Sequence, residues 1–177
     1  MRRIVLGDQG AFSELYQRYK DRMYYYFYRM LGNSGEQASD FLQELFMKLI
    51  ERPESYNPDY PFSTWFYSVA NNMCKNEYRR QGVRREYADE EALQAMIEFQ
   101  DDASISREQM VEKIFETLSQ LGEEHRSAFL LRYREGFSLK EVAAILELPE
   151  GTVKSRLFYA KRALAEKLEY LKDEIEF

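Results

Sequence analysis

At 100° per residue, Lys154, Ser155, Phe158, Tyr159 and Arg162 fall largely on one face of a helix. The opposite face carries Val153, Leu157, Ala160, Leu164, Leu168 and Leu171. Cations and hydroxyls suit phosphate oxygens and base edges. Phe158, apolar yet pointing away from the core, suits a thymine methyl. This is the chemistry of binding a nucleic-acid duplex. A solvated amphipathic helix with a stray aromatic is the plainer alternative, and the residues before it argue against it. Ser138 and Glu141 form an S-x-x-E capping box at a helix start. Ala143 is small where two crossing helices would touch, Leu146-Glu147-Leu148-Pro149 makes a short turn, and Val153 follows ten residues after Ala143. That is the layout of a helix-turn-helix. Glu147 stands where such a turn commonly has Gly, and a left-handed backbone there would cost about 1–2 kcal/mol.

A second set lies upstream. Ser68, Asn71, Asn72, Lys75 and Arg79 recur at steps of three and four, so one helix face carries them all, with Tyr67 and Tyr78 near its edge. Amides, cations and neighbouring aromatics suit unpaired or distorted DNA, whose bases can be hydrogen-bonded and stacked upon. On these residues alone, a merely solvated face is as good a reading. A third set, Asp40, Gln43 and Glu44, sits beside a broad apolar surface. Carboxylates repel phosphate, so this face is expected to meet a protein. A paired-carboxylate enzyme is disfavoured, because no histidine, metal partner or phosphate loop lies nearby. One cysteine, Cys74, leaves no internal disulfide, and the single histidine, His125, has no zinc-ligand spacing to it. No catalytic residue, metal or cofactor is therefore expected.

Helices must position these sets. Phe12, Leu15, Tyr16, Tyr19, Met23, Tyr26, Phe27 and Met30 form the apolar stripe of a long first helix, which Leu31 to Gly35 ends. Some of the aromatic run Tyr24 to Tyr28 must face outward, because no helix buries five consecutive residues on one face. Phe41, Leu42, Leu45, Phe46, Leu49 and Ile50 mark a second helix, stopped at Pro53; Pro58 and Pro61 keep the following loop stiff. Phe62, Trp65, Phe66, Val69 and Met73 set the buried face of a third, which Ser63 or Thr64 is placed to cap. Periodicity fades after Gly82 and returns with Met110, Val111, Ile114, Phe115, Leu118 and Leu121. Between them, residues 85 to 107 read as an exposed acidic linker, with a short helix through Leu93 to Phe99 as the alternative. A further helix spans Ala128 to Tyr133, and two more run from Ser138 to the C-terminus.

The expected fold is all-α: two small helical domains, residues 1–84 and 108–177, joined by that linker. Net charge is −6, yet its distribution is uneven. Tyr87 to Glu124 holds eleven acids against two bases, whereas Phe62 to Glu86 holds five bases against two acids, and Arg132 to Lys172 nine against six. DNA affinity follows local phosphate neutralisation, so the two basic segments outweigh the total. There is no run of about 18 apolar residues, and the apolar run behind Arg2-Arg3 is too short for a signal peptide, so a cytoplasmic location is expected.

With these blocks in view, the chain resembles the extracytoplasmic-function group of the sigma-70 family. Asp8 to Tyr19 looks like that family's opening helix, Ala38 to Leu49 its second conserved region, and Pro61 to Arg80 the segment that opens the −10 element. Leu121 to Leu164 looks like its fourth region, with Gly151 to Arg156 the most specific stretch. The resemblance implies a non-enzymatic factor that directs RNA polymerase to promoters. Asp40, Gln43, Glu44 and Lys48 would dock on the clamp helices of the polymerase's largest subunit, and the C-terminal domain would meet the flap of the second-largest. The loop from Glu54 to Tyr60 would hold a flipped base, while Ser68, Asn71, Asn72, Lys75, Arg79 and Arg80 would contact opened −10 DNA. Lys154, Ser155, Arg156, Phe158, Tyr159 and Arg162 would lie in the −35 major groove. The acidic linker would approach the polymerase cleft as a nucleic-acid mimic, and an anti-sigma protein would be the regulator. Ser39 stands where the family often has an acid, and Asn71 where it often has a base. From the residues alone, the rival readings are a stand-alone helix-turn-helix regulator and a protein-interaction module.

Overall fold

A computed structural model describes residues 1–82 and 107–167; the linker but for Arg107, the alternative helix through Leu93 to Phe99, and Leu168 and Leu171 lie outside them. All the regular structure among the described residues is helical. A single turn, α1 (Arg2–Val5), precedes the long α2 (Gln9–Met30), which Asp8 caps by accepting the Ala11 amide. The end of α2 is a Schellman turn. Gly32 takes φ +72°, and the Asn33 amide reaches back to the Tyr28 carbonyl at 2.9 Å. Ser34 caps α3 (Gly35–Glu51) through the Gln37 amide, and a short 3-10 turn, Pro53–Ser55, follows.

Helix α4 (Phe62–Arg80) departs from expectation at both its start and its faces. Its N-cap is Pro61, with no side-chain cap; Thr64 is buried and its hydroxyl has no partner, so neither Ser63 nor Thr64 plays the capping role. The expected buried stripe is present, with Phe66 and Met73 buried and Phe62, Trp65 and Val69 half-buried against α2 and α3. Tyr19 packs edge-on between Phe62 and Phe66, and Phe46 joins Phe12, Tyr16 and Phe66. A second stripe, Tyr67, Asn71, Cys74 and Glu77, is buried as well.

The C-terminal half explains that second stripe. It comprises α5 (Arg107–Gln120), α6 (Glu123–Phe129), a π-helical segment (Leu130–Arg134), α7 (Leu139–Leu146) and α8 (Glu150–Lys167). Leu118, Leu130, Leu131, Val142, Ile145, Val153, Ala160 and Leu164 are almost fully buried. This core runs on into that of the N-terminal half, because α7 packs against α4, and α5 and α6 against α2. Arg126 of α6 fixes the junction. Its guanidinium donates to the carbonyls of Leu118, Ser119 and Leu121 at the end of α5 (2.7–3.2 Å), and across to the Met30 carbonyl at the end of α2 (3.0 Å). The last carbonyls of a helix have no partner within it, so one buried cation here satisfies the ends of two helices.

Candidate nucleic-acid interface

The turn between α7 and α8 is built as the residue types require. Ser138 and Glu141 form the reciprocal capping box: the Glu141 amide donates to Ser138 Oγ at 3.2 Å, and the Ser138 amide to Glu141 Oε2 at 2.8 Å. The Ser138 hydroxyl, which donates to Glu141 Oε2 at 2.7 Å, and then the Ser138 amide hold the Glu141 carboxyl below its usual range. At the other end Glu147 adopts φ 56°, ψ 46°, while Leu148 N–H reaches the Ala143 carbonyl at 3.0 Å. This is the same Schellman closure as after α2, but with a glutamate in the left-handed position that Gly32 fills there. The turn forms despite that strain, since Val142, Ile145 and Leu146 on one side and Val153 and Leu157 on the other bury together.

Helix α8 then presents an open face. Lys154, Ser155 and Arg162 are exposed, as are Phe158 (62%) and Tyr159 (54%); Arg156 is half-buried. Ser155 Oγ donates to the Thr152 carbonyl at 3.0 Å, leaving its lone pairs outward. Arg162 pairs with Glu166 at 2.7 Å along the same helix. The His125 ring stands edge-on to Tyr159, 6.1 Å between centroids, and so props that side chain from α6. Burial, then the Arg156 charge, hold the His125 imidazole below its ordinary value, against the opposing pull of Glu124. His125 is thus a support for the exposed face, a role no sequence spacing signalled.

On α4 the picture is divided. Asn72, Lys75, Arg79 and Arg80 are exposed, whereas Ser68 is half-buried and Asn71 is buried at 8%. Asn71 accepts a hydrogen bond from Tyr26 Oη at 3.2 Å. The expectation of one solvent-facing polar stripe fails at Asn71, because the C-terminal half covers that side of the helix. Asn71 and Lys75 instead line a cleft with Glu123, Glu124 and Arg156. There burial, then Glu124, raises the Glu123 carboxyl, with Lys75, Arg126 and Arg79 pulling it down.

Asp40, Gln43, Glu44 and Lys48 are all exposed on α3, Glu44 and Lys48 forming an i,i+4 pair at 2.9 Å. Met47 (46%) and Ile50 (50%) lie exposed on the same helix, giving that polar set an apolar border. The sequence pattern counted Ile50 among the apolar residues that mark this helix and did not single out Met47; the spacing Gln43, Met47, Ile50 is the signal that finds them. In the loop after α3, Tyr56 packs on Phe62 and Trp65 and its hydroxyl donates to the Tyr60 carbonyl, leaving the Tyr60 ring exposed. Among the described residues there is no cluster of side chains able to hold a metal, and no helix long and apolar enough to cross a membrane.

Comparison with known proteins finds two family patterns along the chain. Residues 15–84 fit the Sigma-70 region 2 pattern, and residues 112–164 fit that of Sigma-70, region 4. The ECF RNA polymerase sigma factor SigW of Bacillus subtilis is 32% identical over 95% of this chain and 94% of its own length. The ECF RNA polymerase sigma-E factor of Escherichia coli K12 is 34% identical over 96% of this chain and 92% of its own. The chain belongs to the extracytoplasmic-function group of the sigma-70 family. In this sigma factor, most of α2 with α3 and α4 falls in region 2, and most of α5 and α8 with α6 and α7 in region 4. The fold agrees. The sigma factor RpoE from Bartonella quintana, solved with the anti-sigma factor NepR, superposes with a TM-score of 0.69 at 23% identity, over 90% of this chain and 97% of that one. CnrH, solved with the cytosolic domain of CnrY, gives 0.69 at 22% identity, over 96% and 94%.

Proposed function

We propose that this chain directs core RNA polymerase to promoters by binding −35 and −10 elements, without itself catalysing a reaction, and that it works in the cytoplasm. The observation that carries this reading is the near-complete match to two ECF RNA polymerase sigma factors, which covers 95% and 96% of this chain. In this reading residues 1–84 dock on polymerase and open the −10 element, residues 85–107 link, and residues 108–177 read the −35 element.

On α8, Lys154, Ser155, Arg156, Phe158, Tyr159 and Arg162 serve the −35 duplex. Their cations and hydroxyl suit phosphates and base edges, and exposed Phe158 suits a thymine methyl. On α4, Ser68, Asn71, Asn72, Lys75, Arg79 and Arg80 serve the opened −10 strand. The loop carrying exposed Tyr60 offers a stacking surface for a flipped base. Asp40, Gln43, Glu44 and Lys48, bordered by Met47 and Ile50, dock on the clamp helices of the largest subunit, and region 4 on the flap of the second-largest. Each contact is small. Tethering both domains to polymerase raises the effective concentration of the second once the first is made. An anti-sigma protein is the expected regulator, in keeping with the complex with the anti-sigma factor NepR in which the Bartonella quintana relative was solved.

The test is reconstitution. The pure chain with core polymerase is expected to start transcripts in a genomic run-off assay, and Asp40→Lys is expected to abolish core binding. A chain that binds operator duplex tightly without polymerase, and is indifferent to Asp40→Lys, is a stand-alone regulator instead.

A further inference from the structure

Resting on the reading of α8 as the −35 surface, we propose that His125, which lies outside the helix-turn-helix, is a positioning residue for base selectivity: through Tyr159 it sets where Phe158 points. Phe158 is 62% exposed and Tyr159 54% exposed, so burial holds neither ring. Ring contacts hold them instead. Tyr159 stands edge-on to Phe158, 5.7 Å between centroids at 74°, and edge-on to His125, 6.1 Å at 87°. Both pairs have the T-shaped arrangement that aromatic quadrupoles favour. The three rings form a chain, and its His125 end is the one set into the body of the domain. His125 shares a face of α6 with Ala128 and Phe129, three and four residues on and both buried. The imidazole is half-buried, with Nδ1 3.5 Å from Glu124 Oε1. Its amide donates to the Gly122 carbonyl at 3.1 Å, and the next residue, Arg126, ties this turn to the end of α5. Helix α6 packs along α8, where Leu157 and Ala160 are buried.

The consequence falls on which base is read. An exposed aromatic side chain samples more than one rotamer, and freezing it against a base opposes binding. A brace that fixes the ring beforehand removes part of that cost, and it also fixes which base edge the ring meets. Phe158 has no polar side-chain atom, so its selectivity rests on holding the ring against a thymine methyl. Let loose, it loses the contact that separates thymine from cytosine. His125 makes no base contact in this arrangement. Burial, then the Arg156 charge, keep its imidazole below the ordinary value against the pull of Glu124, so near neutrality it meets Tyr159 as an uncharged ring. A phosphate contact would need the imidazolium instead.

The experiment uses the full chain with core RNA polymerase and a pool of promoter duplexes randomised across the −35 element. The variants are His125→Ala, His125→Phe, Tyr159→Ala, the His125→Ala and Tyr159→Ala double, and Phe158→Ala, whose lost preference marks the position that Phe158 reads. Tyr133→Ala is the control, since that ring meets α8 at Lys161 instead. His125→Ala is expected to lower promoter affinity about fivefold and to cut the thymine preference at the marked position by a similar factor. His125→Phe is expected to restore both, the control to change neither, and His125→Ala to add nothing in the Tyr159→Ala background. In the free chain, three-bond couplings at Phe158 should report one dominant χ1 rotamer, averaged in His125→Ala and restored in His125→Phe. An unchanged thymine preference in His125→Ala overturns the proposal, and so does a Phe158→Ala variant that loses no preference. A His125→Phe variant as weak as the alanine makes His125 a phosphate contact, and an equal loss from Tyr133→Ala makes it general support; either result overturns the ring chain. Wild-type holoenzyme that selects no −35 sequence overturns the sigma-factor reading. The couplings then decide the ring chain by themselves, and couplings indifferent to His125 sink it.

Discussion

Helices α4 and α8 carry similar cationic, polar and aromatic residues, yet the fold treats them differently. The outward face of α8 is exposed from Lys154 to Arg162, with Phe158 and Tyr159 more than half exposed and His125 bracing Tyr159 from behind. The outward face of α4 is free only toward its C-terminal end; at Asn71 it is closed over by α7 and by the Tyr26 hydroxyl. A helix packed on one side keeps the other for a ligand. A helix packed on two sides has part of its ligand surface committed within the molecule. The α8 face is therefore ready in the isolated chain, and the α4 face depends on how firmly the two regions hold one another.

That contrast can be broken first at Arg126, whose buried guanidinium bonds the ends of α5 and α2 at once. Arg126→Met leaves the carbonyls at the end of α5 short of a donor and removes a bridge to Met30, so unfolding free energy should fall by about 3 kcal/mol in a denaturant titration. A loss below about 1 kcal/mol would mean that the regions are held by apolar packing instead. Lys154→Ala should weaken duplex binding about tenfold at low salt and reduce the salt slope by about one, with no change in melting temperature. Asn71 and Asn72 sharpen the comparison directly. Asn71→Ala strands the buried Tyr26 hydroxyl and should cost about 1 kcal/mol, whereas exposed Asn72→Ala should stay within about 0.5 kcal/mol while still impairing −10 opening. Equal effects on stability would show that α4 is open on both residues in solution.

Two smaller effects remain. Glu147→Gly relieves a left-handed glutamate and should stabilise region 4 by under about 1 kcal/mol, because part of the 1–2 kcal/mol relief is lost to the freer unfolded chain. Glu123 has its carboxyl raised above the ordinary 4.5 by burial and Glu124. A raised acid contributes stability that is full below its unfolded value and is lost as pH rises through the folded one. Glu123→Gln should accordingly stabilise the protein at neutral pH, and that advantage should vanish as pH falls below about 4, followed by thermal melts across pH.

The sequence by itself determined what local chemistry specifies. Apolar periodicity placed the helices, Gly32 and the Ser138–Glu141 box marked where two of them end and begin, and the face of α8 could be drawn residue by residue. Even the strain at Glu147 was legible, because left-handed backbone is a property of one residue and its turn. Only the tertiary structure decided what depends on residues far apart in the chain. Tyr67, Asn71 and Cys74 look like the polar edge of an amphipathic helix until α7, about seventy residues later, covers them. Likewise nothing within ten residues of Glu135 reveals that its carboxylate is bonded by Arg22 of α2. Periodicity reports that a side chain can be buried; which partner buries it is settled by how two separately patterned halves meet.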